Sequence, residues 1–262
     1  GAMRFNSDSQ KLEYWNGNIW MQIHTFSPNL DGGVRGTFHG GETPTRVDTI
    51  DYITIPTQGN AIDFGDIVSG VLRSTSSCSS NTRSIICAGE DGSTPRVVHL
   101  QFITFASTGD STDAADLTVG TRGSASLSNQ TRGITANGST PSYPGTVDFY
   151  TIASLGNATD FGDVSGTTAH GGGVSSSTRG IFSLAYSGGS NLNTLEYITF
   201  ATTGSRANFG DLNAAKGYHM QGCSSSDSTR GLFAGGYNPS NNNIDFITMA
   251  STGDAVDFGD LT

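Results

Sequence analysis

Asp51-Tyr52-Ile53-Thr54-Ile55 returns as Gln101-Phe102-Ile103-Thr104-Phe105, Asp148-Phe149-Tyr150-Thr151-Ile152, Glu196-Tyr197-Ile198-Thr199-Phe200 and Asp245-Phe246-Ile247-Thr248-Met249. An arginine precedes each copy, at Arg35, Arg83, Arg132, Arg179 and Arg230, with intervals of 48, 49, 47 and 51 residues. Short β-rich segments recurring about every 50 residues between Gly-rich turns predict propeller blades of about four strands each.

The last copy shows how one unit is read. A small-residue strand at 218–223 leads through a Ser/Thr turn at 224–229 to a second strand, Arg230-Gly231-Leu232-Phe233-Ala234, which ends in Gly235-Gly236. A variable loop precedes the third strand at 244–250, and the turn Ser251-Thr252-Gly253-Asp254 leads into a fourth strand at 255–261. The turn glycine recurs at Gly59, Gly109, Gly156, Gly204 and Gly253, where a tight hairpin wants a positive φ. The expected units are 27–66, 67–116, 117–163, 164–211 and 212–262, together one repeat domain. Residues 4–26 read as an N-terminal β-hairpin turning at Asn16-Gly17, and Gly1-Ala2-Met3 as the scar of a cleaved tag. The first unit lacks an obvious first strand, so residues 20–33 are expected to supply it or to clasp the last blade; an open sheet edge would invite aggregation.

Composition narrows the function. Only 34% of residues are hydrophobic, but they are concentrated in the periodic strands, which favours an ordered all-β protein over disorder. A net charge of −10 disfavours nucleic acid, which needs clustered Lys and Arg. No apolar run approaches the roughly 20 residues of a membrane span, and no secretory leader is visible. Cys78 and Cys223 occupy matching places ahead of the Ser-rich turns, with Val174 in the fourth copy, so they read as small buried hydrophobes. Cys87 follows nine residues after Cys78, across an expected hairpin, and a Cys78–Cys87 disulfide is an alternative to free thiols.

These units resemble the kelch-type propeller repeat. A strand there also ends in Gly-Gly, as at Gly40-Gly41 and Gly235-Gly236; one glycine survives at Gly89 and Gly138, and Leu184-Ala185 replaces the pair in the fourth copy. The kelch tryptophan is represented by Phe64, Phe161, Phe209 and Phe258, with Ala115 read as its second-copy counterpart. The resemblance spans about 30–262 and implies a five-bladed β-propeller. The N-terminal hairpin and the Thr-Gly-Asn/Asp…Asp-Phe-Gly-Asp-Leu wording also resemble bacteriophage tail-fibre and other phage-borne repeat proteins. That resemblance implies a virion or extracellular location, other virion proteins as partners, and homo-oligomeric assembly.

Two repeated charged features invite chemistry. Asp66, Asp116, Asp163, Asp211 and Asp260 each close a fourth strand, and the first four precede the next arginine by 16 to 19 residues; Asp260 would meet Arg35 in a closed ring. They are expected to form a structural Arg–Asp ladder between blades. The Asx clusters around them, such as Asp110/Asp113/Asp116, have oxygen ligands for Ca²⁺ but also the chemistry of turn capping, which needs no ion. The histidines are scattered, no Cys-x-x-Cys or Gly-x-Ser-x-Gly occurs, and no cofactor or metal is expected.

Ligand binding is expected where the copies disagree. The varied loops at 42–49, 90–100, 137–146, 186–194 and 237–243 carry Arg46, Arg96, His99, Tyr143, Tyr186, Tyr237 and Asn241. A fixed scaffold with one diversified face suits recognition, and Tyr and Asn suit sugar rings and hydroxyls. The expected function is therefore a non-enzymatic module binding a bacterial surface glycan or receptor, without nucleic acid or membrane insertion. A purely structural virion or cell-surface propeller, and a glycan-processing enzyme using an unrepeated acid such as Glu90, are the alternatives.

Overall fold

The computed structural model describes residues 2–6, 11–22, 34–42, 44–70, 72–136, 138–139, 145–163, 168–169, 171–217, 221–224, 229–236 and 242–262, the side chains of 11, 22 and 221–224 excepted. Their regular structure is entirely β, in six small antiparallel sheets. The N-terminal sheet orders Met3–Asn6, Lys11–Trp15 and Trp20–Gln22 side by side. It is one strand larger than the expected hairpin: Met3 pairs with Tyr14, so the residues assigned to a tag scar take part in it. Asn16 turns the chain with its side chain, accepting from the Asn18 and Ile19 amides. Met3, Phe5, Leu12, Tyr14 and Met21 share one exposed apolar face of this sheet.

Each repeat is one sheet. The first holds Arg35–Glu42, Arg46–Thr54 and Ile62–Asp66; the second Ser76–Ser79, Arg83–Cys87, Val97–Thr104 and Thr112–Thr121. The third holds Ala125–Ser128, Arg132–Ala136, Thr146–Thr151 and Thr159–Asp163. The fourth holds Gly173–Ser175, Arg179–Ser183, Ser190–Thr199 and Ala207–Lys216 with the short Tyr186–Ser187, and the fifth Gln221–Ser224, Arg230–Ala234, Asn243–Thr248 and Val256–Asp260. The fourth strands of the second and fourth sheets run past the expected boundaries at 116 and 211. Register is common to all five: every repeat arginine stands opposite the threonine of the repeated phrase, as Arg83 opposite Thr104.

Phe-Gly-Asp is a β-bulge. The register slips beside Gly65, Gly162, Gly210 and Gly259, whose φ values of 141–150° suit glycine. The missing side chain admits the next copy. A Cβ on Gly65, Gly162 or Gly210 would meet the backbone of Gly109, Gly204 or Gly253, the turn glycines of the following sheet. At the second copy the register puts Ala115 in the glycine's place, opposite Leu100, so Ala114 rather than Ala115 is the counterpart of the phenylalanine.

Main-chain bonds sew these joints. The Gly109, Gly204 and Gly253 amides donate to the carbonyls of Phe64, Phe161 and Phe209. Ser111, Ala158, Arg206 and Ala255 donate to those of Asp66, Asp116, Asp163 and Asp211, one bond at each of four joints. Four hydrophobic cores lie in the same four joints, each drawn from two consecutive copies. Ile50, Phe64 and Ile67 of the first meet Ile86 and Ile103 of the second, and Leu127, Ile134 and Phe161 of the third meet Phe182 and Phe200 of the fourth. Among the described residues no hydrogen bond or core joins the first repeat sheet to the last. Residues 23–33, most of the expected closing segment, lie outside the described residues.

A buried polar side chain opens the repeated phrase and ties down the chain between copies. Gln101 bonds Ser69 and Ser111, Asp148 accepts from the Thr118 amide and hydroxyl, and Asp245 accepts from Asn213 and pairs with buried Lys216. Burial raises the Asp148 carboxyl, opposed by the Thr118 bonds.

Candidate recognition rim

The repeated charges form a ladder of a different kind from the one the sequence suggests. Arg35, Arg83, Arg132 and Arg179 stack over Tyr52, Phe102, Phe149 and Tyr197 of their own sheets, 4.5–4.8 Å from the ring centres. Their guanidinium groups donate to main-chain carbonyls of the next copy, at Phe105, Ile152 and Ala153, Phe200 and Met249. Arg230 stacks likewise over Phe246. The carboxylates of Asp66, Asp116, Asp163 and Asp211 take no part in these arginine bonds. The reason is register: Arg35 faces Thr54 and Asp66 faces Thr49, well apart along Arg46–Thr54, and Arg83 keeps the place of Arg35 in the next sheet, opposite Thr104. Five strand residues separate them by about 17 Å. Nor does Asp260 meet Arg35, whose partner is Phe105.

The Asx side chains are used in the joints as well. Asp110, Asn157 and Asp254 accept from the amides of Asp66, Asp116 and Asp211 in the preceding copy, at 3.0–3.2 Å. Asp160 and Asp257 accept from the bulge glycines Gly162 and Gly259. Among the described residues no group of three or more His, Cys, Asp or Glu side chains is placed to hold a metal ion. Cys78 and Cys87 are free thiols, both within hydrogen-bond reach of the buried Tyr150 hydroxyl, at 3.2 and 2.9 Å.

The unrepeated chemistry gathers at the end of the sheets where the varied loops lie. Glu90, almost wholly buried, draws arginines from three copies: Arg46 and Arg73 bond its Oε1 and Arg122 its Oε2. Arg73 also bonds Glu42, and Arg46 reaches the Asp91 carbonyl. Burial works against the Glu90 carboxylate, but the bonds to Arg73 and Arg122 prevail and hold its carboxyl below the ordinary range. The Arg73 guanidinium is in turn pushed up by Glu90 and Glu42. Arg96 continues the line, its Nε donating to the Ser139 carbonyl, and Ser139 bridges to Arg122. Tyr186 occupies the corresponding bridge in the fourth copy, opposite Ala169, where the varied loop is a small hairpin turning at Gly188-Gly189.

The structure therefore brings Arg46 and Arg96 into one cluster and puts Tyr186 further along the same rim. His99 is separate, a strand residue 3.5 Å from Asp116. Tyr143, Tyr237 and Asn241 lie outside the described residues. Sequence reasoning missed Arg73 and Arg122. Each sits in a connector between copies, and the signal available was a second arginine ten residues before the repeat arginine in both copies. Partly open guanidinium groups held rigid by buried Glu90 offer planar donors to a carboxylate or phosphate.

No protein-family model matches the chain, and comparison with curated proteins finds no match.

Proposed function

We propose that this chain is a non-enzymatic recognition module, the host-surface-binding part of a phage tail fibre or similar virion appendage, built from five propeller-type blades. Its ligand is an acidic glycan of the bacterial surface. The observation that supports this reading is the convergence of Arg46, Arg73, Arg96 and Arg122 on one rim of a protein whose net charge is −10. Arginines ordered beforehand lose less freedom on binding, and the bidentate fork matches a sugar carboxylate. Tyr186 adds an aromatic ring on the same rim. Glu90 suits this role better than glycan hydrolysis: both its oxygens are occupied by arginines and its carboxyl is held deprotonated, so it has no proton to give a leaving group.

An array of bacterial surface glycans tests the proposal. Saturable binding is expected on carboxylate-bearing glycans, weakening with salt and falling about tenfold or more in Arg73→Ala and Arg122→Ala. A blank array, or binding indifferent to both substitutions, refutes the reading and favours a structural role.

A further inference from the structure

Among the described residues the five copies share four joints, and one face of the first sheet and one of the last meet no neighbouring copy. Residues at these faces are exposed where their described counterparts inside the array are buried, apart from half-buried Ala114 in the place of Phe258. Ile55 is 63% exposed, whereas Phe105, Ile152, Phe200 and Met249 are at most 7%. Phe38 is 58% exposed, while Ile86, Thr135, Phe182 and Phe233 in its place are buried. At the other end Phe258 is 54% exposed against 2–4% for Phe64, Phe161 and Phe209, and Leu261 is exposed where Ile67, Leu117 and Leu212 are buried. An added Cβ on Gly259 meets nothing within 4 Å, whereas on Gly65, Gly162 and Gly210 it strikes the next turn.

The two faces carry the two halves of one joint. The last sheet presents the Phe258 carbonyl and the amide and carbonyl of Asp260, the positions that receive the following turn at the internal joints. The first sheet presents that turn: Gly59, Asn60 and Ala61 stand where Gly109, Asp110 and Ser111 stand in the second copy. Asn60 carries the same kind of acceptor as Asn157, which makes this bond at the joint between the second and third copies. Each face also offers a large apolar side chain to the other. The match extends an interface the molecule already forms four times.

We propose that the last sheet of one chain binds the first sheet of a second copy of this chain, head to tail, through a fifth joint of the internal kind. Phe258 enters against Ile55 and Phe38, and the turn at 57–61 seats on the bulge at Gly259. Such an interface is heterologous, so it grows into a closed ring or an open filament according to the rotation at each joint.

Sedimentation velocity across a concentration series tests this with Phe258→Asp and Ile55→Asp, both at exposed positions. The unaltered chain is expected to gain mass with concentration, and each variant alone to sediment as a monomer. Mixed in equal amounts the two variants should form dimers and nothing larger, because one keeps an intact first face and the other an intact last face. Circular dichroism checks that both fold; should either fail, Phe258→Ser and Ile55→Ser replace them. Monomers of the unaltered chain at every concentration overturn the proposal. So does association of either variant alone, or a mixture that stays monomeric.

Discussion

Phe182 and Phe38 hold the same place in the second strand of their copies, yet Phe182 is wholly buried and Phe38 stands in solvent. Asp254 and Asn60 are another such pair: one accepts a main-chain bond from the preceding sheet, and the other, among the described residues, accepts none. In this array a residue's burial is set by the copy beside it as much as by its own sheet. Stability is therefore distributed over four joints of one design, while the arginine cluster around Glu90 belongs to one rim.

Two substitutions probe that contrast, one from inside the array and one from its end. Phe182→Ala should cost about 3–5 kcal/mol in chemical denaturation, whereas Phe38→Ala in dilute monomer should stay within about 0.5 kcal/mol. Equal costs would mean that the neighbouring copy contributes nothing at this position.

Acid is expected to act next most strongly, through His39. It stands opposite Ile50 of the first joint's core, its buried Nε2 without a hydrogen-bond partner among the described residues, and burial lowers its pKa to about 4. The unfolded chain then binds the proton more readily than the folded one. Stability should be full above an unfolded pKa of about 6.5 and fall as pH drops towards 4, by up to roughly 3 kcal/mol. His39→Gln should flatten that slope, and a slope unchanged by the substitution would place the acid sensitivity elsewhere.

The smallest effect is expected from the Asx bonds. Asp254→Ala removes the acceptor of the Asp211 amide and should cost about 1 kcal/mol, while Asn60→Ala should cost nothing measurable in the monomer. Matching losses at the two positions would show that the side chains act within their own turns rather than across the joint.

The sequence reveals the sheets because their instructions are local. The repeated phrase, the turn glycines and the alternation around Arg230–Ala234 each dictate a strand or a turn within a few residues. What lies between sheets is less legible. Spacing alone paired Asp66 with Arg83, since a residue count does not say at which end of a strand a side chain emerges. Ala115 was a simple miscount: Ala114 stands two residues before Asp116 as Phe64 stands two before Asp66, and the ladder register agrees. The rim was half visible: Arg46 and Arg96 fall in varied loops, but Glu90 recruits Arg73 and Arg122 from connectors in different copies, a meeting no local pattern records. The unmatched end faces were invisible for the same reason, because Phe258 reads like Phe209 until the neighbour is taken into account.

The joint at the bulge asks very little of the residues that form it. Its recurrent bonds run between main-chain amides and carbonyls, with one short Asx acceptor added at three joints, and glycine lies against glycine at three. A seam with so few side-chain requirements is indifferent to which copy follows which. A gene segment encoding one unit could be duplicated, deleted or exchanged in frame and still find a neighbour to dock on. The length of the array is then a quantity that recombination can change in steps of one repeat, while the rim is rewritten independently by point substitution.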